Sequence, residues 1–313
     1  MLVRLLVSLL CLLTSPLAAG EGTERLVLAM GTELRLQLGD PAPRVAEEAA
    51  LQEVARLEAA CSTWDPRSEW SRFNAAGGAP VALAPEWLRL LGEMKAWQVR
   101  TGGAFDPVLG ALLQAWGTRE GGRTPSPGEL AQARAASGAS LLELDETQGR
   151  ARLTHPAAAL EEGGFLKGYA LDRMRVVAHV PAGRLDFGGQ LLVWGPPVAV
   201  SVADPNHRQR PRLTFRLQNA SLSSSGTAER GRHLLDPATG EPCPAWGSTA
   251  VVATDGLSAD VLSTALYVMG PEAGLAWARR QGLAAVFLLR DGRIRMTPAF
   301  RALHPKLLPR EPR

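Results

Sequence analysis

Two short segments in the C-terminal half carry side chains that could hold a metal ion and accept a proton. Asp260 and Thr264 lie four residues apart in a stretch with helical spacing, so they share one helix face, with Ser263 beside them. A carboxylate and a hydroxyl oxygen suit a hard cation such as Mg²⁺. His233 precedes the segment Asp-Pro-Ala-Thr-Gly at 236–240, and histidine is well suited to accept a proton near neutral pH.

Each of these segments also has a purely structural interpretation. An acidic residue four positions before a threonine occurs on many helices by chance. The segment 236–240 is a good turn for local reasons, because proline fixes φ and glycine accepts positive φ. Asp236 could orient the imidazole of His233 or stabilise its own turn, and the turn is the preferred interpretation. Neither segment is specific by itself, so the rest of the chain must decide.

The composition indicates a globular protein. The chain has 313 residues, 46% of them hydrophobic, which is enough for one large domain or two small ones. The formal net charge is +3 and no basic run is present, so the sequence gives no sign of nucleic-acid binding. The mature part keeps only Cys61 and Cys243, so one disulfide could form, but a disulfide framework or a zinc site is not indicated.

Residues 1–20 resemble a secretory signal peptide. Arg4 is followed by an apolar run and then by small residues suited to cleavage near Ala19 or Gly20. Cys11 lies in this segment, but the bulky Leu10 before it disfavours lipoprotein processing. The sequence therefore predicts an exported, periplasmic protein that is soluble after signal cleavage, and it leaves inner-membrane association open.

The hydrophobic spacing predicts elements that could position these residues. A strand is expected over 26–38 with a break at 30–32, and two further strands are expected around Gly188-Gly189 within 184–202. Ser126 and Glu129 form a potential capping box. The other predicted elements are helices over 45–60, 86–100 and 165–179, a loop over 61–66, a hairpin of 141–144 with 151–154, short strands near 213–217 and 249–253, a helix holding Asp260, another from Pro271, and a hairpin of 286–290 with 293–297.

Hairpins and helices alternate here without regular βαβ units, which favours an α+β fold. We expect a single domain over 25–300, built of mixed antiparallel sheets with packed helices and followed by a C-terminal tail at 301–313. The stretch 121–127 is the most linker-like segment, but its length is that of an ordinary surface loop.

Seven motifs, taken together and in order, make the chain similar to a known family. They are the segments 62–74, 101–107 (Thr-Gly-Gly-Ala-Phe-Asp-Pro), 163–172, 186–189 (Asp-Phe-Gly-Gly), 224–226, 233–240 and 259–264. This pattern strongly resembles the ApbE family of FAD:protein FMN transferases, over residues from about Met30 to Gly270. The resemblance implies an enzyme that splits FAD, places the FMN moiety on a Thr or Ser hydroxyl of an acceptor flavoprotein, and releases AMP.

The resemblance also implies roles for particular residues. His233 would be the catalytic base, and Mg²⁺ would be held by Asp260, Thr264 and the carbonyl of Gly164. Trp64 replaces a residue that is commonly Tyr, and Glu161 replaces the usual Asp of an Asp-Leu-Gly-Gly motif. The residues implied to bind FAD are Met30, Trp64, Ala104, Phe105, Asp106, Glu161, Lys167, Leu235 through its backbone, and Ser263.

Some of these residues keep structural alternatives. Trp64 and Phe105 could be ordinary core residues, and Lys167 could be a solvated helix residue. The segment 255–260 begins like an acceptor motif but lacks its Gly-Ala-Thr end, and Ser258 is a plausible helix N-cap there. We therefore expect the acceptor to be a separate protein, a flavoprotein subunit of a membrane or exported redox system.

Two other functions stay open from the sequence. A Mg²⁺-dependent FAD pyrophosphatase would use the same metal site to activate water and would yield FMN and AMP without an acceptor. A non-catalytic periplasmic FAD-binding protein would bind FAD tightly without turnover. The combination of His233 with Asp260 and Thr264 favours an enzyme over a carrier.

Overall fold

The computed structural model describes residues 24–40, 43–226 and 234–309. The predicted signal segment and His233 lie outside the described residues. Within the described part of the chain, none of the helices combines the length and the apolar character needed to cross a bilayer.

The helices and strands alternate irregularly along the described chain. The helices are α1 (Pro43–Cys61), α2 (Glu69–Asn74), α3 (Pro85–Arg100), α4 (Gly110–Ala115), α5 (Pro127–Ala135), α6 (Leu166–Ala178), α7 (Gly256–Arg280) and α8 (Pro298–Arg301). The strands are β1 (Glu24–Ala29), β2 (Thr32–Leu38), β3 (Val81–Ala82), β4 (Leu142–Asp145), β5 (Arg150–Leu153), β6 (Gly183–Asp186), β7 (Gln190–Trp194), β8 (Val198–Asp204), β9 (His207–Leu217), β10 (Ala220–Gly226), β11 (Gly247–Ala253), β12 (Ala284–Leu289), β13 (Ile294–Met296) and β14 (Lys306–Leu307).

The largest sheet has eight strands in the order β1-β2-β6-β7-β10-β11-β12-β13, and every neighbouring pair is antiparallel. A three-stranded sheet, β14-β9-β8, and another, β3-β5-β4, complete the β-structure. The predicted α+β class with antiparallel sheets and packed helices is confirmed.

The large sheet has a different covering on each face. One face packs against α1, α6 and α7 in the main core, which includes Leu36, Leu171 and Phe287. The other face, with Val193 and Leu288, packs against β8 and β9 in a second apolar cluster. Period-two alternation along the central strands explains how one sheet serves two cores.

Several local predictions are confirmed. The break at 30–32 is the turn of the β1–β2 hairpin, and the predicted helices match α1, α3 and α6. Ser126 and Glu129 form the capping box of α5. The helix predicted to begin at Pro271 continues α7 across a kink, where Gly270 has φ 78° and is not helical.

Other local predictions were incomplete or wrong. The region 184–202 contains β6, β7 and the start of β8, so it has three strands rather than two. The strand predicted near 213–217 is the end of the eleven-residue β9. The N-cap of α7 is Asp255 rather than Ser258, because the Asp255 side chain accepts the Ser258 N–H. Cys61 and Cys243 are both buried free thiols.

Candidate active site

A cavity of about 740 Å³ opens between the helices and the loops at one end of the large sheet. Its volume lies in the range of ligand sites for small molecules. The cavity is lined by the β1–β2 turn, the loops after α1 and α3, residues 161–164, the start of α6, the turn at 188–189, the β8–β9 tip, the end of β10, residues 234–235 and the inner face of α7.

The structure brings together most of the predicted site residues. Those that line the cavity are Met30, Trp64, Ala104, Phe105, Asp106, Glu161, Gly164, Lys167, Leu235, Asp260 and Thr264. Ser263 is completely buried and is not among the lining residues. The lining residues come from segments more than 200 residues apart in the chain, so the tertiary fold brings them together.

The close crossing of α6 and α7 positions the predicted metal ligands. A Cβ on Gly168 would lie 2.2 Å from the Gly256 carbonyl oxygen and 2.8 Å from Asp260 Cβ. A Cβ on Gly256 would meet the Gly168 carbonyl oxygen at 2.3 Å. Only glycine allows this approach, which sets the Asp260 side chain against the first turn of α6.

Asp260 is buried at the cavity wall, with 6% of its surface exposed. The Gly168 N–H donates to its Oδ2 at 2.9 Å. Burial raises the pKa of Asp260 to about 6, while the nearby Lys167 cation and the Gly168 N–H act in the opposite direction. A buried carboxylate of this kind gains from a cationic partner.

The three predicted metal ligands would supply hard oxygen atoms, the kind that Mg²⁺ prefers. Asp260 and Thr264 lie one turn apart on α7 and both reach the cavity. A Cβ on Gly164 would lie 3.6 Å from Thr264 Oγ1, so the Gly164 backbone passes directly beside that hydroxyl. The residues present therefore fit a site made of a carboxylate, a hydroxyl and a carbonyl.

Ser263 belongs to a row of hydroxyl groups beneath the cavity. Its Oγ lies 2.9 Å from Ser223 Oγ and 2.8 Å from Ser225 Oγ, and it donates to the Asp260 carbonyl at 3.1 Å. Ser225 lines the cavity. The geometry thus places Ser225, and not Ser263, where it could touch a ligand.

The segment 101–106 forms an apolar part of the wall. The Thr101 hydroxyl accepts the Phe105 N–H at 3.2 Å. Phe105 is 2% exposed and packs edge-on against Phe165, with ring centroids 6.0 Å apart. Phe105 therefore combines the predicted cavity position with the core packing given as its alternative.

The carboxylate of Asp106 is already occupied by the backbone. Its Oδ1 accepts the Val108 N–H at 2.8 Å, and its Oδ2 accepts the Ala139 N–H at 2.9 Å. Burial raises the pKa of Asp106, and the two N–H donors oppose that rise. The side chain therefore shapes the loop that forms this part of the cavity wall.

The remaining predicted residues lie at two edges of the cavity. Met30 has a left-handed backbone (φ 49°) in the β1–β2 turn. Leu235 is buried in a small cluster with Leu112 and Trp116. Asp236 accepts the Ala238 N–H at 2.9 Å and so stabilises its own turn, while His233, the other partner considered for it, lies outside the described residues.

Glu161 and Trp64 lie beside a cation that the sequence analysis missed. Arg119 Nη2 donates to Glu161 Oε2 at 2.7 Å, and the guanidinium lies 4.2 Å from the Trp64 ring centroid. Burial raises the pKa of Glu161 to about 7; the Glu162 charge adds to this rise and Arg119 opposes it. Trp64 is 58% exposed, so it is not a core residue.

Sequence reasoning also missed the β8–β9 tip, where Asp204 and Arg208 line the cavity. These residues lie outside the seven motifs, and β8 was not separated from β7. Glu162 directly follows Glu161 and could have been found from the sequence, because two adjacent carboxylates need partners when they are buried.

Comparisons with known proteins show the family of the chain. The model of the ApbE family matches residues 30–287. The FAD:protein FMN transferase of Treponema pallidum is 28% identical over 87% of this chain and 85% of the relative. The crystal structure of the ApbE protein of Thermotoga maritima is 28% identical, with a TM-score of 0.84, and the match covers 90% of this chain and 99% of that protein. The crystal structure of the apo flavinyl transferase ApbE of Pseudomonas stutzeri is also 28% identical, with a TM-score of 0.81, and the match covers 90% of this chain and 96% of that protein. The chain belongs to the ApbE family.

Proposed function

We propose that this protein is a Mg²⁺-dependent FAD:protein FMN transferase. The acceptor's Thr or Ser oxygen attacks the phosphorus of the FMN half, the diphosphate P–O bond breaks, and AMP leaves. The observation that carries the proposal is that one cavity gathers the apolar residue Phe105 and the oxygen ligands Asp260 and Thr264. FAD needs both kinds of surface, because it joins an aromatic ring system to a diphosphate.

The charge balance of the cavity supports a metal requirement. Among the described residues that line it, six are acidic and three are basic: Glu58, Asp106, Glu161, Glu162, Asp204 and Asp260 against Arg119, Lys167 and Arg208. An anionic diphosphate would be repelled by such a wall unless a cation offsets the charge. Mg²⁺ bound by Asp260, Thr264 and the Gly164 carbonyl would polarise the phosphoryl oxygens and neutralise charge that develops on them.

The protein side chains supply orientation and shielding. Lys167 lies close enough to Asp260 to affect its pKa, so its cation stands near the predicted metal site. Phe105 and Leu235 give apolar walls that exclude water, which favours transfer to a protein hydroxyl over hydrolysis. Ser225, whose O–H points to Ser263, can accept a hydrogen bond from a ligand at the cavity floor.

His233 is the proposed proton acceptor for the attacking hydroxyl. The support comes from its neighbours in the chain: Gly226 and Leu234, the described residues on either side of segment 227–233, both line the cavity.

Covalent labelling tests the proposed function. Purified protein is incubated with FAD, Mg²⁺ and candidate acceptor flavoproteins from the same cell, and the acceptors are weighed by mass spectrometry. An acceptor mass raised by one FMN unit, with release of AMP, is the expected result. His233→Ala should bind FAD but label no acceptor. Release of FMN and AMP at the same rate without any acceptor would instead identify an FAD pyrophosphatase, and tight binding without turnover would identify a carrier.

We further propose that the protein is exported and acts on a flavoprotein subunit of a membrane or exported redox system. The support is the signal-like segment at residues 1–20. Mass spectrometry of the N-terminus of the protein from the periplasmic fraction should find a chain that begins near residue 20 or 21. Recovery of the uncleaved chain in the cytoplasm would contradict export.

A further inference from the structure

The loop that carries Trp64 is tied to the loop that carries Glu161. The Thr63 N–H donates to Glu162 Oε1 at 3.2 Å, and the Thr63 hydroxyl donates to Glu162 Oε2. These contacts join segments 99 residues apart. The two loops therefore form one side of the cavity, although neither belongs to a helix or a strand.

Arg119 bridges the same two loops. Its Nη1 donates to the Thr63 carbonyl at 2.6 Å, and its Nη2 donates to the Thr63 hydroxyl and to Glu161 Oε2. A planar guanidinium can reach a carbonyl and a carboxylate at the same time, whereas a lysine ammonium is a single point charge. The Arg119 side chain thus contacts both loops.

The same guanidinium lies over the Trp64 indole at 4.2 Å from the ring centroid. With 58% of its surface exposed, Trp64 is not fixed by core packing, so the stacked guanidinium is what orients its ring. The indole also lines the cavity. Its orientation decides whether a flat aromatic ligand finds a preformed stacking surface.

From these contacts we propose that Arg119 is a positioning residue for flavin binding. It fixes the Trp64 indole and the Glu161 carboxylate together as one wall of the cavity. This inference rests on the proposed function, because it takes the cavity to be the FAD site. Arg119 acts on FAD mainly through these two neighbours.

The first test measures the dissociation constant for FAD without acceptor, from quenching of flavin fluorescence. Arg119→Met should raise Kd about tenfold, the size expected for a lost stacking surface. Arg119→Lys should recover only part of the affinity, since it keeps the charge but cannot span both loops. Arg152→Met is the matched control: Arg152 pairs with Glu143 at 2.7 Å on an exposed hairpin away from the cavity, and this variant should bind FAD normally.

A double-mutant cycle separates positioning from general structural damage. Trp64→Ala removes the ring that Arg119 orients, so adding Arg119→Met to Trp64→Ala should weaken binding by less than about threefold. Equal losses in both backgrounds, or full recovery by Arg119→Lys, would show that the charge alone matters and would overturn the inference. The melting temperature of each variant identifies any loss that comes from unfolding.

The outcomes for the two proposals are distinguishable. If wild-type protein binds FAD and Arg119→Met binds it equally well, the positioning role is wrong and the proposed function stands. If wild-type protein does not bind FAD, both proposals fail.

Discussion

The two sides of the cavity are built in opposite ways. The helix side consists of α6 and α7, which cross at Gly168 and Gly256 and bury Asp260 between them. The loop side consists of residues 62–64 and 161–162, which are joined through Arg119 and leave Trp64 largely exposed. Backbone contact holds the first side, and charged side chains hold the second.

This difference separates the two tasks proposed for the site. Ligands for a metal must stay at fixed distances, and a glycine-mediated helix crossing gives that rigidity. A large planar substrate must enter and leave, and loops joined by side-chain hydrogen bonds of Thr63, Glu162 and Arg119 can open at a lower cost in free energy than a tight helix crossing. Changes on the helix side should therefore affect chemistry and stability, while changes on the loop side should affect binding.

The largest effect is expected at Asp260. Asp260→Asn keeps the shape and can still accept the Gly168 N–H, but it lacks the charge that a cation needs. FMN transfer at saturating Mg²⁺ should fall on the order of a hundredfold or more. The control is Asp291→Asn in an exposed turn, which should leave the rate unchanged. A fully active Asp260→Asn protein would contradict the proposal that Asp260 binds Mg²⁺.

Gly168→Ala tests the rigidity of the same side. The new methyl group would overlap the Gly256 carbonyl, so the helices must separate and the protein should lose about 3 kcal/mol in unfolding free energy. Urea denaturation measures this loss. Gly128→Ala in α5 is the matched control, because a Cβ there meets nothing within 4 Å and alanine favours helix. Equal stability of the two variants would contradict a tight crossing.

Trp64→Ala tests the loop side. Removal of an exposed indole should leave the melting temperature unchanged but raise the Kd for FAD about tenfold, the loss expected for one stacked aromatic pair. Trp64→Phe should recover most of the affinity. If FAD binds Trp64→Ala as tightly as the wild type, the loop side does not hold the flavin.

The stability of the helix side should also depend on pH. Asp172 accepts the N–H groups of Gly256 and Leu257 at the start of α7, and burial raises its pKa to about 6. Because this pKa lies above its unfolded value, the contribution of Asp172 to stability is complete at low pH and falls as pH rises from about 4 to about 6.

This pKa of Asp172 already includes the N–H donors, which favour the ionised form, so a rise of about two pKa units corresponds to at most about 3 kcal/mol. Urea denaturation of the wild type and of Asp172→Asn between pH 4 and 7 should show the wild type losing stability relative to the variant as pH rises. Parallel pH profiles for the two proteins would exclude this role of Asp172.

Glu53 changes stability in the opposite direction and makes the comparison with a variant necessary. Hydrogen bonds from Arg56 and Arg173 lower its pKa to about 2, so its contribution is present above its unfolded pKa and is lost as pH falls towards 2. A single wild-type profile would mix the two trends, whereas the difference from Asp172→Asn isolates one of them.

Residues close in sequence were predictable where local geometry decides their contacts. Asp260 and Thr264 share a helix face through their spacing alone, and the α5 capping box follows from Ser126 and Glu129. The turn predicted at Asp236 is present for the same reason. The strand boundary between β7 and β8 was missed because both strands are apolar, although they belong to different sheets.

The sequence by itself determined the α+β class, most helices and hairpins, and the motifs that mark the family, because short-range spacing and turn chemistry act within a few residues. Only the tertiary structure decided that Arg119 contacts Thr63, 56 residues away. It also decided that the Asp106 carboxylate accepts two backbone N–H groups. The packing likewise places Ser263 beneath the cavity and Ser225 at its lining. Such contacts depend on how distant segments pack, and a side chain's type does not show which partner will reach it first.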